Sequence, residues 1–396
     1  MRPGAGSNRP IVCHAQDWNG DPLGRTHLMR RLAKDHRVLW VNSIGYRRPS
    51  VSKADAARAL KKLKAFAVSR LREVEPNLFT LNPLAIPMHD KPAIQALNRR
   101  LLRWQIRSAM RKLGMADPIG WVANPTAAVV AGRLGESALV YQCADEYSAF
   151  TGVNAAALAA FEADIVKRAD LVIVSAEPLR ESKSRLNANT VLVRHGVDFE
   201  HFRKAIDPAT IVPREVADLP KPVIGFFGLV ADWVDVDLMA KIARRFPQGT
   251  LLIVGKVATD VSALEQEPNV RMIGRKPYEE LPAYCKAFDV AILPFRLNTL
   301  THNANPLKIR EYLAAGLPVV SSPLPEVEAV GLCRIGRDDE GFIKEIEAAL
   351  TDPGPKAERS DAIRHESWDA RADEVRDHLD RVLAQSAGDG HRDRNG

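Results

Sequence analysis

The sequence predicts an α/β protein built as two doubly wound, Rossmann-like domains, and three observations carry that expectation. Short Val/Ile/Leu runs alternate with stretches of helical periodicity along most of the chain, the pattern of parallel sheets with helices on both faces. At 396 residues the chain is too long for one typical core. Near residues 204–220 the periodicity stops and prolines and polar turns take over, as in a linker.

Taken in order, Pro10–Ala15 reads as the first buried strand, residues 17–25 as a loop, and Thr26 as the cap of a helix running through Lys34. Arg37–Asn42 is the second strand. Ala56, Leu60, Leu63, Ala67, Leu71 and Val74 recur at helical spacing, with Lys61, Lys62, Lys64 and Arg70 largely off that face. A further helix spans about Pro92–Leu113, and strands follow at 119–125 and 139–143. Helix Asn154–Arg168 then leads to strands at 171–175 and 190–194. Beyond the linker, strands at 222–228, 250–254, 270–273, 290–293 and 318–321 alternate with helices, and Ser367–Leu383 forms a last amphipathic helix. The polar, glycine-containing end from 385 to 396 is expected to be disordered. No G-x-G-x-x-G follows the first strand, which speaks against a dinucleotide fingerprint.

Composition excludes several classes. Cys13, Cys143, Cys285 and Cys333 are widely spaced, so neither a disulfide framework nor a zinc knuckle is suggested. Met1–Pro10 has no apolar h-region and no apolar run reaches membrane-spanning length, so the expectation is a cytoplasmic protein. Charge is unevenly placed. Between Val51 and Lys112 basic residues outnumber acidic ones by ten, against a net +7 for the whole chain. Arg99, Arg103, Arg107 and Arg111 stack at i, i+4 spacing in one stripe, which suits an anionic membrane surface on the inner face of the cell membrane. No nucleic-acid module accompanies the charge.

The segment most suggestive of chemistry runs from Asn305 to Ser321. Asn305 is placed to cap a helix whose first residue is Pro306, Gly316 to end it in the left-handed conformation, and residues 317–320 to form a strand. The free N–H groups at such a helix start attract a diphosphate. Lys308 adds a cation in the first turn, and Glu311 could accept hydrogen bonds from sugar hydroxyls. An ordinary capped helix in an α/β sheet is the alternative reading of these same residues.

This segment resembles the NP-x-K-x-x-EYLAAG-x-P-V-V stretch of GT-B fold glycosyltransferases. It is similar to those of the family-4-like group that builds bacterial surface polysaccharides, teichuronic-acid and xanthan glucuronosyltransferase types included. The resemblance implies two domains facing a cleft, with Glu311 at the donor ribose and the last helix crossing back to the first domain. Many relatives carry a second Glu where Asn303 stands here, a departure that leaves the donor-sugar contact and the stereochemical outcome open. His195-Gly196-Val197-Asp198 resembles the segment that closes the family's first domain. The expected organisation is therefore an acceptor-side domain to 203, a linker at 204–220, a nucleotide-sugar domain at 221–364 and a crossing helix at 365–384.

Leaving-group charge in glycosyl transfer can be met by backbone N–H groups and cations. Gly228 and Val230, Lys256, Arg275, Asn303, Asn305 and Lys308 lie on loops after strand ends or at the helix start, where open α/β sheets bind ligands. Relatives often place a cation after the Gly228 turn, where Ala231-Asp232-Trp233 stands here. Asp145, just past a buried strand, is the expected base. Its strand-then-Asp setting resembles that of the xanthan-type enzyme, and Glu146 is the neighbouring alternative. Asp17, Gly24 and Arg25 lie on the first βα loop and are expected on the acceptor side. Asp235-Val236-Asp237 matches a metal-binding spacing of a different fold, and its place at a helix start gives acids a dipole role instead. No metal or cofactor is expected. His14 and His302 fall in loops where substrate contact is plausible, and Ser321 and Ser322 lack a nucleophile elbow.

The function expected is transfer of a hexose or uronic acid from a nucleotide sugar to a lipid-linked saccharide, by an enzyme peripherally bound to the membrane. A nucleotide-sugar 2-epimerase of the same fold and a non-catalytic nucleotide-sugar-binding protein are the competing classes.

Overall fold

The structure, a computed structural model, describes residues 8–20, 22–43, 71–86 and 92–392. They form two compact units, one of residues 1–194 with 371–396 and one of residues 195–370.

In the first unit eight strands lie in the order β3-β4-β2-β1-β5-β6-β7-β8. They are β1 (Ile11–Ala15), β2 (Val38–Asn42), β3 (Leu71–Glu75), β4 (Leu78–Leu81), β5 (Ile119–Val122), β6 (Ala138–Cys143), β7 (Leu171–Val174) and β8 (Thr190–Leu192). All pairs are parallel except β3 with β4. The two faces of β1 separate by alternation. Ile11, Cys13 and Ala15 pack with Leu28, Met29 and Leu32 of α1 (Gly24–Leu32), whereas Val12 packs with Leu102, Ile106 and Met110 of α2 (Pro92–Lys112). The Val, Leu, Ile and Met side chains among them each contribute roughly 1.5–3 kcal/mol on burial.

Two local expectations change. Thr26 does not precede its helix: it is the third helical residue, and its hydroxyl accepts from the Leu23 N–H at 3.4 Å. Leu71 and Val74, expected at the end of a basic helix, belong to β3, because Pro76 and Asn77 (φ 62°) turn the chain into a hairpin with β4. The remainder of that expected helix, with Lys61, Lys62, Lys64 and Arg70, lies outside the described residues.

The second unit has six parallel strands in the order β11-β10-β9-β12-β13-β14. These are β9 (Val223–Phe227), β10 (Thr250–Val254), β11 (Val270–Met272), β12 (Val290–Leu293), β13 (Val319–Ser321) and β14 (Arg334–Ile335). Ile224 and Phe226 face one core, and Val223 and Phe227 the other.

This unit begins earlier than the sequence pattern places its domain. Val197, and Phe199 and Phe202 from helix Phe199–Arg203, lie in its core, as does Val216 from the segment expected to be a linker. Val197 also bridges Ser367, its N–H donating to Glu366 O at 2.9 Å. The last helix, Trp368–Arg392, starts in the second unit and from Arg371 belongs to the first, where Ala372, Val375, Leu379, Val382 and Leu383 join the core. It continues past 385, where a disordered tail was expected; residues 393–396 lie outside the described residues.

Candidate functional site

In the second unit the site is built around a helix of Leu307–Ala314 that precedes β13. Its N-terminal residue is Pro306 (φ −67°, ψ 118°), and no side chain caps it. Asn305 therefore does not have the capping role its place in the sequence suggests. It is buried, its Oδ1 accepts from Arg310 Nη1 at 2.6 Å, and its Nδ2 donates to Glu326 at 3.4 Å. Arg310 is wholly buried and also donates to Glu366 at 2.5 Å. His195 Nδ1 donates to Asn305 O at 2.8 Å. Asn305 thus positions the helix start from behind, and no side chain caps that start. At the other end Gly316 takes the left-handed conformation (φ 80°), as its place in the sequence predicted.

Gly228 ends β9 at φ +133°, and a Cβ there would lie 1.9 Å from Lys308 Cε and 2.7 Å from Lys308 Nζ. The backbone conformation calls for glycine, and a Cβ would displace the lysine stem that lies directly over this turn. The Gly228 N–H donates to Val254 O, Val230 N–H to Lys256 O and Ala258 N–H to Val230 O, so the turn after β9 is laced to the turn after β10. Tyr312 locks the helix onto β9 by accepting from the Phe227 N–H at 2.9 Å. The structure therefore brings Gly228, Val230 and Lys308 together.

Glu311 lies one turn beyond Lys308. Burial pushes its carboxyl up to about 7, partly countered by Lys308 and reinforced by Asp198. Asp198 and His195 both belong to the segment expected to close the first domain, and only the fold shows them beside this helix. Lys256 and Arg275 are exposed on their loops. Asn303 ends helix Thr299–His302, donating to Thr299 O at 2.8 Å, and it lines an open pocket of about 380 Å³ with Asn298, Thr299 and His302. Asp235 caps helix Val236–Arg245 by accepting from the Leu238 N–H at 3.0 Å, while Asp237 pairs with Arg296. Both acids of the DXD spacing thus have local structural work.

In the first unit, functional candidates gather where β1, β5 and β6 end. Asp145 lies two residues past the end of β6; burial raises its carboxyl and Arg25 opposes the shift. Arg25, from α1, donates to Ala123 O at 2.7 Å, and Tyr147 Oη donates to the same oxygen at 3.3 Å. Gly24, buried, is the first residue of α1. Asp17 is exposed and accepts from the Asn19 N–H at 3.1 Å, shaping its own loop. Glu146 is a poorer base than Asp145: burial raises it, but hydrogen bonds from Ser148 and Lys183 outweigh that and hold it below its ordinary value. His14 Nε2 is buried with no hydrogen-bond partner among the described residues, and burial pushes its imidazole down to about 4.

On α2 the arginine stripe is mostly exposed, with Arg107 half-buried. Leu97 and Trp104, 52% and 57% exposed, share that outer side. Trp104 does not stand out in the sequence, because a tryptophan in a periodic helix is usually core. No described helix is long and apolar enough to cross a membrane.

Residues 221–352 match the family model described as glycosyl transferases group 1. The chain is 28% identical over 275 residues to a protein of Bacillus subtilis (strain 168) named as a teichuronic acid biosynthesis glycosyltransferase, TuaH, covering 63% of this chain and 68% of that one. Among solved structures it is similar to sucrose-phosphate synthase from Thermosynechococcus elongatus, with TM-score 0.66, 17% identity, and coverage of 96% of this chain and 100% of that one. It is also similar to Anabaena Alr3699/HepE in complex with UDP, with TM-score 0.57, 16% identity, and coverage of 97% and 100%. The two units have the GT-B fold, and residues 221–352 of the second are the part that matches the group 1 glycosyl transferase model.

Proposed function

We propose that this glycosyltransferase of GT-B fold moves a hexose or uronic acid from a nucleotide-diphosphate sugar to a lipid-linked saccharide in cell-surface polysaccharide synthesis. The observation that carries the reading is one cluster in the second unit. The Lys308 stem lies over the Gly228 turn at the uncapped start of a helix, and Glu311 stands one turn on. In this reading the diphosphate is met by helix N–H groups and Lys308, so its neutralisation needs no metal, and Lys256 and Arg275 add cations from neighbouring loops. Glu311 accepts from the ribose hydroxyls, and Asn303 borders the sugar. UDP bound to Alr3699/HepE supports a uridine nucleotide as the first one to try.

The first unit supplies the acceptor side through Asp17, Gly24 and Arg25. Asp145 takes the proton of the acceptor hydroxyl; that oxygen bonds to the anomeric carbon, and the nucleoside diphosphate leaves with the bonding pair. Arg99, Arg103, Arg107 and Arg111, with Leu97 and Trp104 beside them, hold the enzyme peripherally on an anionic membrane, the source of a lipid-linked acceptor.

Calorimetry of the full chain against a panel of nucleotide sugars tests the donor side. Glu311→Ala should weaken the best binder about 10- to 100-fold, the loss of roughly 1.5–3 kcal/mol of charged hydrogen bonding. An unchanged affinity would remove this helix from the donor site. Asp145→Asn should abolish transfer while leaving donor binding intact.

A further inference from the structure

The loop bearing Asp145 is held from behind by buried charges that the reaction does not use. Lys183, the last residue of helix Glu177–Lys183, and Glu162, on helix Ala155–Arg168, are each only 6% exposed. Lys183 Nζ donates to Glu162 Oε2 at 2.7 Å and to Glu146 Oε2 at 3.2 Å. Glu162 Oε1 accepts from Tyr141 Oη on β6 at 2.6 Å, and Glu146 Oε1 from Ser148 Oγ at 2.6 Å. The loop backbone is pinned as well: Ser175 Oγ donates to Ala144 O at 2.9 Å, and the Cys143 thiol lies 3.4 Å from Asp145 O. Asp145 thus sits between two residues that are each tied down, and Lys183 is where the ties from two helices and the loop meet.

We propose that Lys183, through Glu146, is a positioning residue that fixes Asp145 for proton transfer. This rests on the reading of Asp145 as the base. A buried ammonium between two carboxylates is costly to desolvate, and packing alone would be met as well by an apolar side chain of that size. What the ammonium adds is direction. Charge-assisted hydrogen bonds set distance and angle, whereas an apolar contact lets a loop slide, and small misplacements of a reacting group cost large factors in rate.

The test uses the full chain with UDP-glucose as donor and a polyprenyl-diphosphate-linked hexose as acceptor, comparing Lys183→Met, Glu146→Gln and Asp145→Asn. Calorimetric titration with UDP counts the molecules whose second unit is competent, and the melting transition of the first unit checks that it is folded in each sample. Per binding-competent molecule, Lys183→Met and Glu146→Gln should each lower kcat about 30-fold, with the donor KM within about twofold of wild type. Adding Lys183→Met to Asp145→Asn should cost nothing further, since an absent base cannot be misplaced. If both variants turn over within about twofold of wild type while Asp145→Asn is inactive, the positioning role is wrong and the base stands. If Asp145→Asn stays active, the base reading falls and takes the positioning role with it. Hydrogen exchange requires no substrate: amides at 144–148 should exchange about 10-fold faster in Glu146→Gln while those of β6 keep their protection. Unchanged exchange overturns the proposal, and this variant leaves the Lys183–Glu162 pair intact should Lys183→Met fail to fold.

Discussion

Glu311 is the residue whose protonation should be visible in solution. An acid raised by burial from 4.5 to about 7 is still largely protonated below neutrality, when one of its oxygens carries a proton and it accepts more weakly from two hydroxyls. Nucleotide affinity should therefore rise with pH between about 6 and 8, and Glu311→Gln should flatten that rise, both readable by calorimetry. Stability should move the other way. The folded state holds the proton more tightly than the unfolded chain, so this group's contribution to the stability of the free protein falls as pH climbs from 4.5 to about 7. Gly228→Ala should cut nucleotide affinity at least as much as Glu311→Ala, because its Cβ would meet Lys308 in a conformation that costs alanine energy as well. The placement of Lys308, Glu311 and Gly228 was legible in the sequence because each position is set by local spacing. Asn305 was not: the pattern places it as a cap, but Arg310 and Glu326 claim its side chain.

At the scale of the element, the Leu307–Ala314 helix is held by contacts far apart in sequence. Tyr312→Phe removes the acceptor for the Phe227 N–H, a buried group, and should destabilise by about 1–3 kcal/mol in denaturant melts of the second unit. Arg310→Met should loosen the helix start by removing the hydrogen bonds Arg310 gives to Asn305 and Glu366, and so weaken nucleotide binding without touching the ligand. Asp235→Ala should cost about 1 kcal/mol as a lost cap and leave donor affinity unchanged, whether or not EDTA is present. A metal-dependent loss of affinity would restore the other reading of that acid pair. Strands were the most readable elements, since parallel strands buried on both faces appear as unbroken apolar runs. The β3–β4 hairpin was hidden because its strands are short and partly exposed, and residues 71–74 also fit a helical period.

At the scale of the molecule, the final helix ties the chain together. Deleting residues 371–396 strips Ala372, Val375, Leu379, Val382 and Leu383 from the first unit's core. The unit should then unfold at a markedly lower temperature, as four buried Val and Leu side chains at roughly 1.5–3 kcal/mol each are lost, along with Ala372. A calorimetric scan in which that transition does not move would deny the helix its place there. Neutralising Arg99, Arg103, Arg107 and Arg111 should release the protein from anionic vesicles, with the effect fading in high salt. Undiminished binding would leave the stripe facing water only.

The amino-acid order by itself determined the two α/β halves, most of their strands, the helix at 307–314 and the side chains it presents. All of these follow from periodicity and local turn chemistry, which act over a few residues. Only the tertiary structure decided that His195 and Asp198 belong with the helix at 307–314, that Asn305 is turned inward, and that Lys183 and Glu162 brace the loop of Asp145. Those relations join residues far apart along the chain. Nothing in a local pattern encodes them, because what fixes them is the burial of polar groups that must find partners wherever the fold brings them.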